Sequence, residues 1–90
     1  MSNLIKTVTS TKTTSAGGNI QVVSIDSTLT TENSIILGAA CTSRSDIECA
    51  VCTWSGSGKE WGIHCTGISN SYSAIANTSI TIRLFYIKFA

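Results

Sequence analysis

Ninety residues at 9.5 kDa leave room for one domain and one hydrophobic core. The apolar share of 42% is ordinary for a globular chain, but only 12% of residues are charged, and a net charge of +1 gives no field for collecting phosphates, which excludes a general nucleic-acid binder. The longest apolar run, Ile35 to Cys41, falls far short of the roughly 20 residues of a membrane helix, which excludes membrane insertion by a helix.

Proline is absent and Val, Ile and Thr dominate, a composition suited to pleated, half-buried strands. Ile5 to Thr13 alternates at period two with little apolar content, as an edge strand does. Ser15-Ala16-Gly17-Gly18-Asn19 is the strongest turn signal and predicts a tight hairpin onto a second strand at Ile20 to Ile25. Asp26 to Asn33 reads as a connection. Ser34 to Thr42 is a continuous apolar run of strand length, the pattern of a strand buried on both sides. Ile47 to Trp54 follows, and Ser55-Gly56-Ser57-Gly58 closes a hairpin onto Glu60 to Thr66. Gly67 to Ala76 reads as a Ser-rich loop and Thr78 to Phe89 as the last and longest strand. Six strands without a helix predict an all-β chain, a small antiparallel β-sandwich or else a small barrel, with residues 1–15 an edge strand or attachment segment and residues 16–90 the β-sandwich domain. Twenty-seven Ser and Thr residues supply the surface that charges do not.

The last strand has two apolar sides. Ile80, Ile82, Leu84 and Tyr86 suit a core, but the opposite side passes from Thr81 and Arg83 to Phe85, Ile87 and Phe89. A chain this small buries only somewhat more than ~60% of its unfolded surface, so a second subunit is expected to cover Phe85, Ile87 and Phe89, with Arg83 beside them.

Chemical motifs are sparse. Cys49-Ala50-Val51-Cys52 with His64-Cys65 has zinc-like ligand types, but residues three apart in a strand point to opposite faces, and Ala50-Val51 favours extension. The beginning Met1-Ser2-Asn3-Leu4-Ile5-Lys6 reads without an apolar signal segment, which predicts folding in a cytosol with all four thiols free, and the cysteine spacing argues against a metal or cofactor. Gly56-Ser57-Gly58-Lys59 lacks the spacing of a phosphate-binding loop and fits a hairpin turn. Asn77-Thr78-Ser79, formally a glycosylation acceptor, fits a strand-leading turn. One His, two Asp and three Glu, mostly in turns, predict no enzyme. Trp54, Trp61 and Tyr72 are candidates for stacking on a sugar, against packing of the two tryptophans as core.

The stretches Gly58-Lys59-Glu60-Trp61-Gly62-Ile63-His64-Cys65 and Asn77-Thr78-Ser79-Ile80-Thr81-Ile82-Arg83-Leu84-Phe85-Tyr86-Ile87 resemble small β-structured modules of bacteriophage and prophage virion appendages, in tail fibres, baseplates and head fibres. The resemblance implies a homotrimeric β-sandwich, a non-enzymatic virion structural or decoration protein that contacts other virion proteins and a host-surface glycan. Four cysteines depart from that pattern. The other readings are a carbohydrate-binding adhesin module using Tyr72 and a tryptophan, and a zinc-dependent interaction domain using Cys49, Cys52, His64 and Cys65.

Overall fold

The computed structural model describes residues 4–21 and 25–90, the side chain of Gln21 excepted. Its strands are β1 (Ile5–Thr13), β2 (Asn19–Gln21), β3 (Ser34–Cys41), β4 (Ile47–Ser55), β5 (Trp61–Ser69) and β6 (Ser79–Lys88). They form two three-stranded antiparallel sheets, ordered β1-β6-β3 and β2-β5-β4. The described residues contain no helix, so none is long and apolar enough to cross a membrane.

Alternation along the strands decides what each sheet buries. Ile80, Ile82 and Leu84 of β6 meet Ile20 of β2, Ile47 of β4, and Ile63 and Cys65 of β5 in one buried cluster that draws on both sheets. Val8, Ile36, Ala39 and Cys41 pack against it from the strands flanking β6, as do Cys49, Val51 and Trp61 from the other sheet. Each fully buried Ile or Leu contributes about 1.5–3 kcal/mol, so this cluster is the main favourable term.

The expected β1–β2 hairpin is corrected. β1 pairs with β6 over its whole length and β2 pairs with β5, so the Gly-Gly turn carries the chain from one sheet to the other. Gly18 takes φ +78°, its N–H donates to Ser15 O at 2.9 Å and its carbonyl accepts from Gly67 N at 2.9 Å. The buried hydroxyl of Thr14 fixes the crossing, donating to Ile75 O at 2.6 Å and accepting from Thr78 N at 3.0 Å. The strand expected at Ile20 to Ile25 is seen as Asn19–Gln21, and its stretch at 22–24 lies outside the described residues.

A second correction concerns β3, which is an edge strand and not buried on both sides. Its inward residues join the core, whereas Ile35 and Leu37 stay exposed. The register slips between Ile36 and Gly38, leaving Leu37 as an extra residue, and Gly38 takes φ +154° there. β5 also runs on to Ser69, into the stretch expected to be loop, because Ile47 to Cys49 of β4 continue to pair with it.

Trp61 ties the second sheet to the start of β3. Its indole N–H donates to Ser34 Oγ at 2.9 Å and Thr30 O at 3.1 Å, and the buried Ser34 hydroxyl donates to Thr30 O at 2.6 Å. Replacing the donor leaves part-buried acceptors without it, so Trp61→Phe should lose about 1–3 kcal/mol in a denaturant melt, against about 2–5 kcal/mol for Leu84→Ala. An unchanged midpoint for Trp61→Phe would show that the indole N–H carries nothing.

Two surface carboxylates set a small acid dependence. Asp26 Oδ1 accepts from the backbone N–H and hydroxyl of Thr28 at 2.9 and 2.8 Å, and Arg44 holds both oxygens of Asp46, so both carboxyls lie below their ordinary 3.8. Folded-state values below unfolded ones mean that the stabilisation is present above pH 3.8 and disappears as pH falls through the lowered values. Melting temperatures of the wild type and an Asp26→Asn, Asp46→Asn variant, compared at neutral pH and at pH below 3.8, should therefore converge in acid.

Candidate functional site

The register of the first sheet assembles an apolar surface on the face turned away from the core. Ile5 of β1, Ile87 of β6 and Ile35 of β3 stand opposite one another and form a row across all three strands. The next row holds Thr7, Phe85 and Gly38, with Leu37 bulging beside it. Ile5, Leu37, Gly38, Ala39 and Phe85 line an open depression of about 330 Å³. Phe89 lies just beyond β6, 63% exposed, its N–H held by Asn33 O at 2.9 Å. Further along the face the surface turns polar, with exposed Arg83 between Thr9 and Ala40, then Thr81, whose hydroxyl hydrogen-bonds that of Thr11 at 2.9 Å.

Phe85 and Ile87, expected at an oligomer interface, are half-buried by their neighbours, while Phe89 and Arg83 are exposed. Sequence reasoning missed Ile5, Ile35 and Leu37. The signal was present in the unbroken apolar run of β3, which periodicity alone cannot distinguish from a strand buried on two sides.

The three candidate sugar-stacking aromatics do not form one site. Trp61 faces inward and is held by Ser34 and Thr30. Tyr72 stands 91% exposed in the β5–β6 connection, with φ +63°. Trp54 lies at the other end of the β4–β5 ladder, opposite Gly62, on the face turned from the core. The two tryptophans therefore do not pack together. Trp54 covers Gly62 so closely that a Cβ there would fall on indole atoms Cε2, Nε1 and Cδ2 together.

Alternation also divides the four zinc candidates. Cys49 and Cys65 pack in or against the core, whereas Cys52 and His64 face each other across β4 and β5 on the opposite side. They do not converge on one ion, and among the described residues no three His, Cys, Asp or Glu side chains form a metal-holding group. The neighbouring Cys65 sulfur and burial push the pKa of the Cys49 thiol up, so it stays protonated, and the thiol is directed at Ala50 O at 3.8 Å.

No protein-family model, curated protein or solved structure matches the chain.

The thiols give a direct check on strand orientation. With an aromatic disulfide reagent, exposed Cys52 should react first and half-buried Cys41 more slowly. Cys49, whose thiol is held protonated, and fully buried Cys65 should react only as the protein unfolds. Four equal rates would contradict the inward placement of Cys49 and Cys65.

Proposed function

We propose that the chain is a non-enzymatic virion structural protein, a small antiparallel β-sandwich that assembles as a homotrimer through the outer face of β1-β6-β3 and decorates a capsid, baseplate or fibre. The observation that carries this reading is the contiguous apolar surface of Ile5, Ile35, Leu37, Phe85 and Ile87, with exposed Phe89 just past the end of β6. Contiguous exposed apolar patches on small domains mark contact surfaces.

Magnitudes favour association. Returning half of an Ile, Leu or Phe side chain to an apolar contact yields about 1 kcal/mol, so each protomer offers several. The rigid-body cost of association is roughly 4–15 kcal/mol, which two or three such faces together reach. Surface rich in Ser and Thr and poor in charge suits contact with neighbouring proteins, because there is little charge to desolvate. The sequence resemblance to virion appendage modules supplies the trimer and the virion as the assembly.

Sedimentation equilibrium at micromolar concentration should give a trimer for the wild type and a monomer for Leu37→Lys combined with Phe89→Ser. Both positions are exposed, so the variant should keep the wild-type circular dichroism. A monomeric wild type overturns the assembly. An antibody to the chain should label purified phage particles released from the bacterial host, and labelling of host cytosol alone overturns the virion role.

A further inference from the structure

The outer face of β2-β5-β4 is built differently from the apolar face of the other sheet. At its hairpin end, two glycines are each covered by a side chain from across the hairpin. Trp54 lies over Gly62, and the Glu60 carboxylate lies over Gly56. Since a Cβ on Gly62 would strike three atoms of the indole at once, the ring rests face-down on the strand. A plate with one side covered keeps about half its surface, and Trp54 is 51% exposed. Among the described residues, its other side is open.

The groups beside this plate are polar. Gly62 and His64 share one face of β5 with Glu60, which lies at the position just before the strand, so the exposed carboxylate and the half-buried imidazole flank the position under the ring on either side. Successive same-face residues of a strand stand roughly 6.5 Å apart, which puts both groups within side-chain reach of a ligand lying on the ring. Beyond His64, Thr66 donates to Asn19 Oδ1 at 2.8 Å.

We propose that this face binds a neutral saccharide, which stacks its C–H side on the open face of Trp54 and places hydroxyls on Glu60 and His64. The chemistry selects that class. A lone flat ring with hydrogen-bonding groups in the plane beside it suits a sugar, while a quaternary ammonium needs several aromatic walls. Acidic ligands are disfavoured because the Glu60 carboxylate lies at the same hairpin end as the ring, and Lys59 at the turn is directed to Glu32 at 3.9 Å. Neutral hydroxyls donate readily to a carboxylate, and such charge-assisted bonds are the strong ones. The site lies on the other sheet from the proposed trimer contact, so neither depends on the other.

The test is a panel of immobilised neutral di- to hexasaccharides of glucose, galactose, mannose and N-acetylglucosamine, printed beside sialylated and sulfated glycans. Any neutral disaccharide retained on the panel is then titrated in solution, where binding is monovalent, against tryptophan emission; buried-side Trp61 serves as a constant background. Binding of a neutral glycan is expected, weakened about tenfold in Trp54→Ala and threefold to tenfold in Glu60→Gln, with partial recovery in Trp54→Tyr. Tyr72→Ala and the Leu37→Lys, Phe89→Ser variant should bind as the wild type does, which separates this site from the assembly surface. A wild type that retains no neutral glycan, binding confined to sialylated or sulfated glycans, or affinity unchanged in both Trp54→Ala and Glu60→Gln overturns the proposal. So does a loss of oligomeric state in Trp54→Ala without glycan binding, which assigns the ring to a second copy of the chain.

Discussion

The structure depends on β6 occupying the centre of its sheet while carrying apolar residues on both sides. A central strand fixes the register of both neighbours, so its inner row of Ile80, Ile82 and Leu84 aligns Val8 of β1 and Ala39 and Cys41 of β3 with the core. The same register brings Ile5 and Ile35 beside Ile87 on the other side. Pleat geometry couples these outcomes, because a one-residue slip would exchange the two faces along the whole strand. The buried cluster specifies the pairing, and the outward apolar row follows from it.

Strand positions were largely legible because period-two patterning and turn residues are local signals. Ile5–Thr13 is written in alternating Thr, and the β4–β5 hairpin in Ser55-Gly56-Ser57-Gly58. Pairing was less legible. The Gly-Gly turn supplies the φ a hairpin needs, yet it serves a crossing between sheets, since the partners that decide it, Thr78 for Thr14 and Gly67 for Gly18, lie more than forty positions away in sequence. The apolar run of β3 failed in the same way. A hydrophobic side chain at a sheet edge reads in sequence like one buried on both sides, and only the bulge at Leu37 and the register beyond it separate the two. The face bearing Phe85, Ile87 and Phe89 was visible because those residues follow polar ones at the same parity.

The tryptophans show what sequence withholds about a site. Trp54 and Trp61 flank one hairpin and invite the reading of a pair, but seven positions put them at opposite parities. Ser55 pairs with Trp61 and Trp54 with Gly62, so one ring enters the interior and the other lies outside. Gly62 is the local clue. A glycine within a strand usually marks a close approach, and here the approaching group is the facing indole. The cysteines obey the same rule, Cys49 inward and Cys52 outward, so a spacing that suggests ligands in a loop separates them in a strand.

The two outward faces differ in how their side chains meet water. On β1-β6-β3 the apolar groups fill two adjoining rows in which Thr7 carries the one hydroxyl, so an apolar surface complements them best. On β2-β5-β4 the aromatic lies flat, one side already covered, with a carboxylate and an imidazole beside it, so a ligand with both C–H and O–H groups fits better than a hydrophobic wall. Both sheets contribute their other faces to one cluster. The proposed contact between copies at the first face would therefore leave the second facing solvent, and such an assembly would present several rings of this kind. Sites individually weak enough to rest on one stacked ring gain from that repetition, since linked binding events raise effective concentration without any new contact.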